Sequence, residues 1–113
     1  MEVRVCREDE LAPGMVRTAA LGSDRDGRPI QAIVLRDPSG TIVAYRNLCR
    51  HLPIPLDGGT GQLLSADGAH LVCGTHGATY RVGDGLCIEG PCEGLVLHPL
   101  SVRLEAGDLY VSR

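Results

Sequence analysis

The sequence predicts an all-β fold: an antiparallel sandwich or barrel base with a loop-rich lobe inserted into it. Three observations support this. The 113 residues hold 15 Gly and 7 Pro, so turns are frequent. The apolar stretches between them are short, and none carries a long 3.6-residue stripe. Turn residues are also unevenly spread: Gly and Pro crowd between positions 47 and 92, together with three of the four His and four of the five Cys.

Taken in order, residues 3–6 form a first strand. Residues 7–13 are a polar connection with room for one helical turn, ended by Pro13-Gly14. Residues 15–20 form the second strand, Asp26-Gly27 marks a turn, and residues 30–35 run back as the third. Asp37-Pro38-Ser39-Gly40 reverses the chain into a strand over 41–45. Within the loop-rich segment, residues 69–73 deliver Cys73 at the end of a strand. Residues 79–82 and 86–88 flank Gly83-Asp84-Gly85, a strong hairpin signal. Beyond Gly94 alternation resumes, with strands over 101–105 and 109–112 joined at Ala106-Gly107-Asp108. The base is therefore expected from about 1–46 and 93–113, and the lobe from about 47–92, in one domain.

Composition narrows the function. A chain of 12.0 kDa has no room for a separate catalytic module beside this domain. With no Phe or Trp, the core must be Leu, Val, Ile and Ala, and a metal centre joining two loops would supply needed stability. A net charge of −3 and a pI near 5.7 argue against nucleic acid or an anionic membrane surface as partner. No apolar run approaches the roughly 20 residues of a membrane span. Met1-Glu2-Val3-Arg4 does not open a signal peptide, and five cysteines show no regular disulfide framework. Cytoplasmic residence is the expectation.

One constellation names a chemistry. Cys49-Arg50-His51 and Cys73-Gly74-Thr75-His76 are C-x-H and C-x-x-H pairs with 21 residues between His51 and Cys73. Two thiolates and two imidazoles suit either a tetrahedral zinc ion or a [2Fe–2S] cluster with sulfur on one iron and nitrogen on the other. Structural zinc sites pair Cys with Cys and His with His, whereas each loop here contributes one of each, so the spacing favours the cluster. Neutral imidazoles in place of two thiolates leave such a centre less negative and raise its reduction potential. The glycines beside the ligands allow close backbone approach, with amides free to donate to sulfur.

Here the chain resembles the Rieske family, specifically its small soluble Rieske-type ferredoxins. The resemblance runs through Ala44-Tyr45-Arg46-Asn47-Leu48-Cys49-Arg50-His51, Pro55-Leu56-Asp57-Gly58-Gly59, and Cys73-Gly74-Thr75-His76-Gly77-Ala78-Thr79-Tyr80. It continues in Gly83-Asp84-Gly85-Leu86-Cys87, Gly90-Pro91 and the closing Gly107-Asp108-Leu109-Tyr110-Val111. It implies one Rieske [2Fe–2S] cluster, with Cys49 and Cys73 on the buried iron and His51 and His76 on the outer one. It also implies one-electron transfer from a flavin-dependent reductase to a terminal redox enzyme such as a ring-hydroxylating oxygenase, and no catalysis by the chain itself. An accessory small subunit of a nitrite-reductase-like complex and a structural Cys₂His₂ zinc module are the alternatives. An oxygenase catalytic subunit is not expected, since only His70 and His98 remain unassigned for a second iron.

Departures from the family pattern bear on potential. Arg50 and Gly74 stand where prolines are common, and Arg50 puts a positive charge beside the cluster, stabilising its reduced form. The loop-to-loop disulfide of high-potential members cannot form, since its positions fall near Ile54 and at Thr75. Ala78 replaces a serine that donates to a bridging sulfide, whereas Tyr80 matches a tyrosine whose hydroxyl reaches a ligand sulfur. Two potential-raising features are lost and one is kept, which predicts the lower part of the Rieske range of about −150 to +300 mV. Among the remaining residues, Cys6, Cys87 and Cys92 read as small buried fillers, His70 as a surface residue, and His98 as a lone, satisfied side chain.

Overall fold

The computed structural model describes residues 2–50, 54–56, 63–73 and 77–113. Among these, nine strands form three three-stranded antiparallel sheets, as the turn-rich sequence predicts. The chain ends meet in the first, where β9 (Asp108–Ser112) lies between β1 (Glu2–Arg7) and β8 (Ser101–Glu105). The second is a meander of β2 (Val16–Ser23), β3 (Pro29–Arg36) and β4 (Ile42–Arg46). The third, β5 (His70–Val72), β6 (Thr79–Arg81) and β7 (Cys87–Glu89), lies within the loop-rich segment.

The expected helical turn is a 3-10 turn at Glu8–Glu10. It closes earlier than Pro13-Gly14, because Leu11 N–H already donates to the Glu8 carbonyl at 3.2 Å. Leu86 falls outside β7: it bridges to Val96, since the returning chain bonds there through Leu97 N–H to Gly85 O at 2.9 Å and Cys87 N–H to Leu95 O at 2.8 Å.

Strand β3 explains how two cores are held together. Its run Ala32-Ile33-Val34-Leu35 is fully buried on both faces. Ile30, Ala32 and Val34 pack with Cys6, Leu11, Leu21, Leu109 and Val111. Ile33 and Leu35, on the opposite face, pack in a cluster that contains Cys49, Cys73, Tyr80, Cys87 and Cys92. Strand β4 divides in the same way, with Ala44 in the first cluster and Tyr45 in the second. The buried Tyr45 hydroxyl donates to Val82 O at 2.7 Å, fastening β4 to the end of β6, and burial pushes that phenol up to about 12. The segment between β7 and β8 runs along β4, with Arg46 N–H donating to His98 O and Leu100 N–H to Ala44 O, both at 2.9 Å. Among the described residues, no helix is long and apolar enough to cross a membrane.

Candidate metal centre

Cys49 follows β4 by three residues, and a buried polar side chain sets its approach. Asn47, 7% exposed, donates its backbone N–H to Gln31 O at 2.7 Å and its Nδ2 to Gln31 Oε1 at 2.7 Å. Its Oδ1 accepts the Leu56 N–H at 2.8 Å, so one amide fixes both the chain entering the first motif and the chain beyond it. Cys49 N–H donates to Ile54 O at 2.8 Å. On the other side, Cys73 leaves β5 with its N–H on Ala78 O at 2.7 Å, and Gly77 N–H returns to Cys73 O at 3.0 Å. Gly77 has φ of 72°, in the left-handed region that glycine enters without steric penalty. Ala78 is fully buried, and a Cβ on Gly90 would stand 2.8 Å from its Cα, so β7 can run against the second motif only because residue 90 lacks one.

These two anchored bases bring Cys49 (4% exposed) and Cys73 (1% exposed) into one apolar cluster. Tyr80, fully buried on β6, places its hydroxyl 3.7 Å from Cys49 Sγ and accepts the Arg50 N–H at 3.0 Å. Burial, with the sulfurs beside it, pushes this phenol far up, so it stays a hydrogen donor. Tyr80, Arg50, Gly77 and Ala78 thus all lie beside Cys49 or Cys73. His51 and His76 lie outside the described residues.

Sequence reasoning missed three participants. Asn47 carried the one usable signal, a polar side chain two residues before a motif cysteine, where the apolar run of β4 has just ended at Arg46. Cys92 is buried like a filler, as are Cys6 and Cys87, but its Sγ also lies 3.0 Å from the Tyr80 hydroxyl and 3.2 Å from Cys87 Sγ. His98 is not alone, because Arg50 Nη1 donates to its Nε2 at 2.6 Å. Guanidinium has no acceptor, so that ring nitrogen carries no proton. Partial desolvation, with Arg50 and Arg46 nearby, holds the imidazole below its ordinary value. His70 opens β5 half-buried, its Nδ1 3.8 Å from Asp67 Oδ1.

Two buried thiols on separately braced loop bases, with a buried hydroxyl aimed at one of them, fit a metal–sulfur centre. Soft thiolate ligands and a hydrogen-bond donor to ligand sulfur are what such a centre requires. The fold and these residues define an all-β class of protein with a candidate metal–sulfur site.

The family model described as "Rieske [2Fe-2S] domain" matches residues 1–99. The chain belongs to the Rieske [2Fe-2S] domain family. The cofactor of this domain is one Rieske-type [2Fe–2S] cluster. The fold is similar to that of a chain in the reduced complex between oxygenase and ferredoxin in carbazole 1,9a-dioxygenase, with TM-score 0.75 and 20% identity over 97% of this chain. It is also similar to the terminal oxygenases of carbazole 1,9a-dioxygenase from Novosphingobium sp. KA1 (TM-score 0.71) and Nocardioides aromaticivorans IC177 (TM-score 0.70), each 20% identical over 97% of this chain. This chain spans 27% of the first of these and 29% of the other two. No curated protein matches it in sequence.

Proposed function

We propose that the chain accepts electrons from a flavin-dependent reductase and passes them singly to an oxygenase, without catalysing a reaction of its own, in the cytoplasm. In this proposal Cys49 and Cys73 bind the buried iron and His51 and His76 the outer one. The base comprises residues 1–46 and 93–113, and the lobe 47–92. The observation that carries the proposal is the pair of buried thiols, Cys49 and Cys73, in one cluster beneath the Tyr80 hydroxyl. The carbazole dioxygenase structures share the fold, which supports an oxygenase as acceptor.

When bound, the cluster takes up and returns one electron. The protein's own contribution is placement and electrostatics. Asn47 and the Cys73–Ala78 bond hold the two cysteines against β3, so little needs to move on electron arrival. The Tyr80 hydroxyl would donate a hydrogen bond to the Cys49 sulfur and so favour the more negative state of a bound cluster, and the Arg50 guanidinium adds a positive charge beside the first motif.

Electron paramagnetic resonance of the dithionite-reduced protein tests the ligation. A mixed sulfur–nitrogen centre has a lower average g value than an all-cysteine one. His51→Cys and His76→Cys should each change the spectrum, and His70→Ala and His98→Ala should leave it unchanged. Loss of the signal in either of the last two would refute the ligand assignment. For partners, stopped-flow mixing with a flavin reductase and NADH should reduce the cluster, and an oxygenase should then reoxidise it.

A further inference from the structure

Cys87 and Cys92 are left unused by the proposed ligation, yet they are not ordinary filler. Their sulfurs lie 3.2 Å apart, about 1.2 Å from the bonded S–S distance. Cys92 S–H donates to Cys87 Sγ, and Cys87 S–H to Glu89 O at 3.2 Å. This leaves the lone pairs of Cys92 facing the Tyr80 hydroxyl at 3.0 Å. Cys92 is the one buried side chain in an otherwise exposed turn of Pro91, Glu93, Gly94 and Leu95. Gly90 and Gly94, at φ of 101° and 92°, bracket that turn and allow it to tighten.

The Tyr80 hydroxyl has one proton to share between Cys92, whose sulfur lies at 3.0 Å, and Cys49, whose sulfur lies at 3.7 Å. Its oxygen already accepts from Arg50 N–H, which fixes its position between them. We propose that Cys87 and Cys92 form a second redox site, a dithiol that hydrogen peroxide converts to a disulfide, and that its state decides how fully Tyr80 donates to Cys49.

Oxidation proceeds in two steps. The Cys92 sulfur attacks peroxide, forming an S–O bond and breaking O–O, and one water leaves. The Cys87 sulfur then attacks Cys92, forming S–S and breaking S–O, and the second water leaves. Two thiols are oxidised by two electrons in total, and one peroxide is reduced to two waters. Burial, reinforced by Cys92, pushes the Cys87 thiol up to about 11, so closure accelerates as pH rises. Bonding draws the Cys92 sulfur toward Cys87 and away from Tyr80. The hydroxyl proton is then left to Cys49, where it stabilises the more negative, reduced cluster and raises the midpoint. This second half rests on Cys49 being a cluster ligand, whereas the disulfide itself does not.

The test uses the holoprotein, treated with hydrogen peroxide below the level that bleaches its visible absorbance. It is then denatured, alkylated and analysed by peptide mass. Wild type should lose two alkylatable thiols, both in the peptide spanning residues 87–92, and regain them with dithiothreitol. Cys92→Ser should lose none. Redox titration should place the oxidised protein's midpoint above that of the reduced protein, with no such shift in Cys92→Ser, Cys87→Ala or Tyr80→Phe. Bleaching before any loss of these thiols would overturn the redox site. A disulfide that leaves the midpoint unchanged, or a shift that survives Tyr80→Phe, would overturn the coupling. Failure of the ligand assignment would show separately, as a normal reduced-state resonance spectrum in Cys49→Ser.

Discussion

The backbone N–H of Arg50 donates to the hydroxyl of Tyr80 at 3.0 Å, across 30 residues of sequence. The bond ties the first cysteine motif to the middle strand of the third sheet. It makes the ring's position a property of both loops, so one substitution perturbs stability and potential together.

Tyr80→Phe keeps the packing but leaves the Arg50 N–H without its acceptor. The expected loss is about 1–3 kcal/mol, read by chemical denaturation. The midpoint should fall as well, by about 40 mV for each ~1 kcal/mol of lost preference for the reduced state. An unchanged midpoint would show that the hydroxyl does not act on the ligand sulfur.

Asn47→Leu removes the acceptor for the Leu56 N–H and the partner of Gln31. A destabilisation of about 1–3 kcal/mol is expected, with faster cluster loss on warming, followed as decay of visible absorbance. Asn47→Asp, which retains the accepting oxygen, should lose less.

Two glycines with similar backbones separate strain from crowding. Gly90→Ala meets the Ala78 backbone at 2.8 Å, whereas Gly94→Ala meets nothing within 4 Å. Both incur the conformational penalty of about 1 kcal/mol, and only Gly90→Ala should add a further ~1–3 kcal/mol and disturb the cluster spectrum. Equal melting temperatures for the two variants would contradict this.

The midpoint of the wild-type protein is expected in the lower part of the Rieske range of about −150 to +300 mV. Ala78 is buried beside Cys73 and has no hydroxyl to donate, and the Tyr80 proton is shared with Cys92. A titration giving more than roughly +150 mV would show that the missing hydroxyl at residue 78 and the shared Tyr80 proton do not lower the potential.

His98 is held neutral in the fold, its pKa lowered by desolvation and by Arg50 and Arg46. The unfolded chain then binds more protons as pH falls through the ordinary histidine value near 6.5. The stability contribution is therefore full above that value and is lost as pH falls toward the lowered folded value. His98→Gln should flatten the drop in melting temperature between pH 7 and 5.

Much of the β order was legible because its causes are local. Asp37-Pro38-Ser39-Gly40, with Ser39 and Thr41 N–H on Asp37 Oδ1 at 2.9 and 3.0 Å, reverses the chain by its own side chain. The hairpin over 79–89 is legible in kind, but the place of Leu86 is not, since its bridge partner Val96 belongs to a segment that local signals do not mark.

The candidate site divides the same way. Two Cys/His pairs, with their spacing and the residues around them, point to the metal chemistry by themselves, because ligand type and loop length are covalent properties of the chain. Tertiary structure decided which neighbours act on it. Tyr80 meets Arg50, His98 meets Arg50 across 48 residues, and Cys92 sits between Cys87 and the Tyr80 hydroxyl. Tyr80, Cys87 and Cys92 meet in the cluster that packs on one face of β3, and Arg50 and His98 meet at the surface. Only the folded chain brings these distant segments within bonding distance.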